Sequence, residues 1–278
     1  MTLLYGTSSW SAKGWVGPFY PERTKAAEYL RHYGAVYRTV EADTTYYGVP
    51  RPAVVDGWVE KTPEDFVLSA KFPRGIVHAG EGPRPDGDKL LVPEHCGAEL
   101  ETFLAAMGRL GPRCGPLVLQ FPYLAPDVLP DPDVFLQRLD AQLGSLPERF
   151  RYAVEVRNRD LLDETLCDLL RRHHTALVLA DVRNMPHPAD LAGRLDLLTA
   201  DFTYIRLIGD RRATEAKTKT FDRLVLDQGA RLDRWAGLLL GLRERVDLGL
   251  IYANNHFAGF GPDTIDALAE RMGDQARR

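Results

Sequence analysis

The sequence predicts an α/β fold of one domain, a (β/α)8 barrel of the TIM type. Three observations lead there. Eight short apolar runs each end in polar residues, eight amphipathic helical patterns alternate with them, and 278 residues match one such domain. Alternation of this kind implies right-handed βαβ units and a parallel sheet, which in a barrel is covered by helices outside. The competing architecture is an open doubly wound sheet, but no glycine-rich fingerprint follows the first run.

The strands are expected at 3–8, 39–43, 66–71, 117–121, 152–157, 176–181, 203–208 and 249–255. The helices are expected at 25–33, 51–60, 98–110, 132–143, 161–172, 189–198, 232–245 and 264–271, the sixth having the faintest pattern. The second run, TVEADTTYYGVP, sets the logic for the rest. Strand side chains alternate, so Val40 and Ala42 share one face and Thr39, Glu41 and Asp43 the other. An apolar outside with acids inside, near the strand's C-terminal end, is the pattern of a barrel mouth. Residues 73–94, after the third strand, hold four prolines and four glycines and read as one long irregular loop. On the mouth face such a loop is expected to act as a lid or binding loop.

Parity then selects the candidate site. Lys71, Gln120, Glu155, Arg157 and Arg206 fall on inward positions, joining Glu41 and Asp43. Asp181 ends the sixth strand, and Asn254 and Asn255 end the eighth. Buried ion pairs stabilise a fold poorly, because desolvation offsets most of their attraction, so a ring of charges at the mouth points to a ligand or a reaction. The expected catalytic residues are Glu41, Lys71, Glu155 and Asp181. Glu41 and Glu155 read as a general acid and base with pKa values split by their neighbours. Lys71 reads as an electrophile or Schiff-base amine. Gln120, Asp43, Arg157, Arg206, Asn254 and Asn255 are expected to bind ligand, with Trp10, Tyr46 and Tyr47 as an aromatic wall. Trp15 and Phe19 read as packing beneath the loops. An anion site is expected at Arg206, beside the basic loop 209–220 and the two asparagines.

Composition narrows the function. The net charge of −4 gives no general attraction to nucleic acid, whose binding would need a local basic patch, and the charged mouth makes a small polar or anionic molecule the expected partner. Three cysteines without a CxxC suit a reducing cytoplasm, and neither a secretion signal nor a membrane span is visible. No cofactor signature is evident. The one metal arrangement that the residues allow is Mg²⁺ or Mn²⁺ on Glu41, Glu155 and Asp181, since the histidines fall away from strand ends except His256.

The segments GTSSWSAKGWVGPFYP at 6–21, VEADTTYYGVP at 40–50, FVLSAKFPRGIVH at 66–78, GPLVLQFP at 115–122, YAVEVRNRDLL at 152–162, YIRLIGDR at 204–211 and YANNHFAGFG at 252–261 occur together in this order. As a set covering nearly the whole chain, they resemble the YecE-like family, a bacterial and archaeal domain of unknown function (DUF72). The resemblance implies a TIM-type barrel and brings no reaction with it. The chain departs from the family pattern at Asp43 (usually Asn), Ser9 (usually Gly), Asn158 (usually His) and Leu161 (usually Trp), and the Tyr-rich stretch after strand seven shrinks to Phe221 and Asp222. The leading functional reading is an enzyme using acid–base chemistry on a sugar or sugar phosphate. A phosphodiester or DNA-repair hydrolase is the alternative by fold analogy alone, and a non-catalytic ligand-binding protein is the third.

Overall fold

The computed structural model describes residues 1–277. Among them the eight expected strands form one parallel sheet: β1 (Thr2–Thr7), β2 (Thr39–Ala42), β3 (Val67–Lys71), β4 (Cys114–Gln120), β5 (Tyr152–Glu155), β6 (Ala176–Val182), β7 (Phe202–Gly209) and β8 (Leu248–Ala253). The hydrogen-bonded order is β1-β8-β7-β6-β5-β4-β3-β2, which is a barrel cut between β1 and β2. Helices cover it outside: α1 (Tyr29–Val36), α2 (Pro52–Lys61), α3 (Pro93–Gly108), α4 (Pro132–Ser145), α5 (Glu164–Arg172), α6 (Pro188–Leu191), α7 (Gly229–Leu242) and α8 (Gly261–Arg271).

The sixth helix is much shorter than its pattern predicts. It stops at Leu191, just before Gly193, and the Asp196 carboxylate then accepts from the Leu198 amide, turning the chain toward β7. Helix α3 starts earlier than expected because Pro93 occupies its first turn, where its fixed φ is already helical. Loop 73–94 is less irregular than its composition suggests. It contains the helical turn Arg74–Val77, buries Ile76, Val77, Leu90 and Leu91, and is pinned by Arg138, which donates to the carbonyls of Gly87 (2.7 Å) and Leu90 (3.1 Å).

Two apolar layers follow from the alternation. Val40, Leu68, Leu119, Val154, Leu179 and Ile205 pack outward against the helices. Leu4, Val118, Val178, Phe202 and Leu250 fill the barrel.

The seam between β1 and β2 is closed by other means than a ladder. Gly6 lies so close to β2 that a Cβ there would sit 2.2 Å from the Thr39 carbonyl oxygen. The Tyr33 hydroxyl enters from α1, accepts from the Thr7 amide (2.8 Å) and donates to the Thr39 carbonyl (3.1 Å). The Ser9 amide then donates to the Glu41 carbonyl at 2.9 Å. Tyr33→Phe strips both backbone groups of their partner in a buried place. The expected loss is about 1–3 kcal/mol, read by urea unfolding with an unchanged m-value. A loss below about 0.5 kcal/mol would show that the seam does not depend on this hydroxyl.

Among the described residues no helix is long and apolar enough to cross a membrane.

Candidate active site

Inward positions near the strand ends build a charged layer on top of the apolar filling. Beneath it lie two tyrosines. The Tyr252 hydroxyl meets Thr39 Oγ1 (2.7 Å) and Ser69 Oγ (2.9 Å), and its ring contacts that of Tyr204 at 5.1 Å. Tyr204 donates to Glu41 Oε2 at 2.8 Å. Neither tyrosine was among the residues expected at the site, although Tyr204 stands two positions before Arg206 and shares its parity.

Arg206 is the hub of the layer and is 2% exposed. Its Nη2 donates to Glu41 Oε1 at 2.9 Å, and its Nη1 to Glu155 Oε2 at 2.5 Å and Gln120 Oε1 at 2.7 Å. Lys71 Nζ lies 3.7 Å from Glu41 Oε1, and Arg157 Nη2 pairs with Glu155 Oε1. Glu41, Lys71, Gln120, Glu155, Arg157 and Arg206 therefore converge as parity predicts. Asp43 opens the 3₁₀ turn Asp43–Tyr47 directly after β2, within the electrostatic reach of Lys71 and hydrogen-bonded to Ser9.

The protonation states divide the layer in two. Burial alone would raise Glu155, but Arg157 and Arg206 outweigh it and hold the carboxyl down at about 2. Burial likewise opposes ionisation of Glu41, and Arg206, Lys71 and the Tyr204 hydrogen bond again win, leaving it below the usual carboxylate range. Both are thus fixed carboxylates, so the acid–base split between them expected from the sequence does not exist. The groups pushed toward neutrality are two others. Burial raises Asp43, with Lys71 opposing less strongly, and burial with the charge of Arg206 lowers Lys71.

Asp181 is not at the mouth. It shares the outward parity of Leu177 and Leu179 and points into the helix layer, where it pairs with Arg231 and accepts from Trp235 Nε1 at 3.0 Å, both on α7. The trio of Glu41, Glu155 and Asp181 expected to hold a metal is therefore not assembled. Asn254 and Asn255 are also committed elsewhere. The Asn254 side-chain oxygen accepts from the His256 amide (2.9 Å), and that of Asn255 from Trp15 Nε1 (3.2 Å) and the Gly261 amide (2.9 Å), so both fasten the loop after β8. Around Arg206, where an anion was expected, Nη1 and Nη2 are engaged by two carboxylates and Gln120 while Nε has no hydrogen-bond partner, and in the neighbouring loop Arg211 and Lys219 pair with Glu215.

The aromatic wall is partly formed. Trp10 is half-buried, edge-on to Trp58 of α2, while Tyr46 lies beside Arg74 and Tyr47 projects with 83% of its surface exposed. Trp15 and Phe19 pack beneath the loops in an aromatic cluster with Tyr20.

The family model described as "Protein of unknown function DUF72" matches residues 4–278. The chain belongs to the DUF72 family. Over 157 residues the DUF72 chain is 36% identical to the UPF0759 protein YecE of Escherichia coli (strain K12), and equally to that of strain O157:H7. The matched stretch is 56% of this chain and 48% of either relative, so it spans about half the length of the curated relatives it matches. A solved DUF72 family structure from Thermotoga maritima MSB8 superposes with a TM-score of 0.69 at 23% identity, covering 96% of this chain and 97% of that one. One from Enterococcus faecalis V583 gives 0.69 at 18% identity, covering 98% and 96%. At these identities the superpositions establish the barrel and nothing finer.

The depressed Glu155 carboxyl makes the DUF72 chain acid-sensitive. A group whose folded pKa lies below its ordinary 4.5 contributes stability above that value and loses it as pH falls toward about 2. That contribution is about 3 kcal/mol at neutral pH. Urea unfolding between about pH 5 and pH 2 is expected to show a limb that Glu155→Gln flattens by up to about 1.4 kcal/mol per pH unit. Identical limbs would show that Glu155 does not carry the acid transition.

Proposed function

We propose that this DUF72 chain is an enzyme that moves protons on a small polar or anionic molecule at the barrel mouth. In this reading the Asp43 carboxylate is the general base and the Lys71 ammonium the general acid. The observation that carries it is the opposed shift of these two groups. A carboxyl raised by burial is a stronger base, and an ammonium lowered by burial a stronger acid. Glu41, Glu155 and Arg206 form a fixed field around them that needs no reorganisation during reaction. The resemblance places Asn where this chain has Asp43, so the assignment of the base belongs to this chain rather than to the family.

A sugar or sugar phosphate suits such a pair, because proton transfer at a hydroxyl-bearing carbon needs one base and one acid. The test is incubation in D₂O with pentoses, hexoses, their monophosphates and small hydroxy acids, followed by mass spectrometry. At least one compound is expected to change mass or to gain deuterium. If none changes, while native mass spectrometry of the gently purified protein shows a small molecule retained, the chain binds without catalysing and the proposal fails.

A further inference from the structure

A cavity of about 640 Å³ opens beside the charged layer, between the loops that follow β4, β5 and β6. Its volume lies in the range of small-molecule sites. One wall is apolar, with Leu124, Pro126, Leu129, Pro130 and Met185. The other carries Arg157, Arg159 and Arg183, with Asp160 beside them. The walls are tied together by Asn158. Its Oδ1 accepts from the Leu124 amide and its Nδ2 donates to the Leu124 carbonyl, each at 2.8 Å, so the cavity is pre-formed.

The three guanidinium groups keep donors to spare. Arg159 uses Nε on the Asn184 carbonyl at 2.5 Å, and Arg183 uses Nε on Asp210 at 3.4 Å. Arg157 is paired with Glu155 through Nη2, and its Nε is buried without a hydrogen-bond partner. A purely inorganic anion would leave the apolar wall unused, and a neutral body would leave the spare guanidinium donors unused.

We propose that this cavity takes a small organic oxyanion with an apolar body. Its head lies on the side of Arg157, Arg159 and Arg183 and its body against Leu124, Pro130 and Met185. Arg157 joins the cavity to Glu155, but binding here does not rest on the enzymatic reading, since neither Asp43 nor Lys71 lines the cavity.

The test is calorimetric titration of the full chain with phenyl phosphate, benzoate, inorganic phosphate and phenol. Phenyl phosphate or benzoate is expected to bind at least tenfold more tightly than both inorganic phosphate and phenol, and the better of the two identifies the oxyanion. Arg159→Ala combined with Arg183→Ala is expected to weaken that binding at least tenfold. Met185→Asp, which puts a carboxylate on the apolar wall, does so without touching an arginine and serves if the double variant does not fold. Equal affinity for inorganic phosphate, no binding by either organic anion, or unchanged affinity in a folded variant would overturn the proposal. Turnover of another compound without this binding would remove the cavity assignment and leave the enzyme standing. Binding without turnover of any compound would do the reverse.

Discussion

Arg206→Met is expected to destabilise the barrel by about 3–5 kcal/mol, the usual cost of removing one partner from a buried ionic set. Arg206 reaches Glu41, Glu155 and Gln120 from one guanidinium, and the two glutamates have essentially no exposed surface. Without it, Lys71 and Arg157 are left to balance both carboxylates, and Glu41 keeps one cation at 3.7 Å. Burial would then drive the carboxyls to take up protons, so the variant should also lose much of its acid limb. The same physics predicts a rescue. Replacing the paired cations and acids together removes the desolvation cost along with the attraction, so Arg206→Met with Lys71→Met, Arg157→Met, Glu41→Gln and Glu155→Gln is expected to be more stable than Arg206→Met alone. Chemical denaturation of the three proteins decides it. A single-variant cost under about 1 kcal/mol, or a combined variant no better than the single, would show that the charged layer does not hold the barrel together in this way.

Lys71→Met is expected to lower turnover of whichever compound the mouth transforms by about 10²–10⁴-fold, the usual worth of a positioned acid or base. Stability should change less than in Arg206→Met, because Glu41 keeps Arg206 and Tyr204. Lys71→Arg separates charge from proton transfer. It retains the cation beside Glu41, but a guanidinium does not give up its proton in this range. If Lys71 is the acid, both variants are inactive; near-normal activity in Lys71→Arg would reduce the residue to a fixed charge. The pH profile gives a second readout. Activity should rise as Asp43 ionises, at a pH above its ordinary 3.8, and fall as Lys71 loses its proton, below its ordinary 10.5. Asp43→Asn should remove the acid limb together with most of the rate. A variant that kept the full profile would shift the base to another group.

Much of the site was legible because strands alternate. Once Leu68 and Ala70 are taken as outward, Lys71 must be inward, and the same rule orders Glu41, Gln120, Glu155 and Arg206 without any knowledge of their neighbours. The rule also accounts for one error. Applied to β6, it groups Asp181 with Leu177 and Leu179, outside the barrel, where Arg231 and Trp235 receive it. Position at a strand's end is no substitute for parity. The two asparagines after β8 fall beyond the strand, where alternation has stopped and local capping decides which way an amide points.

The sequence by itself determined the eight strands, their order along the chain, the barrel class and the charged set at the mouth. Each of these follows from a short-range period of side chains with a matching chain length. Only the tertiary structure decided which charges face each other. It made Arg206 a hub between two fixed carboxylates, shifted Asp43 and Lys71 toward neutrality, inserted Tyr33 into the open seam and left a cavity beside Arg157. Partnership across a barrel joins residues more than a hundred positions apart, such as Glu41 and Arg206, and protonation depends on burial and on those partners together. Alternation along a strand says which way a side chain points, and distances between strands decide what it meets.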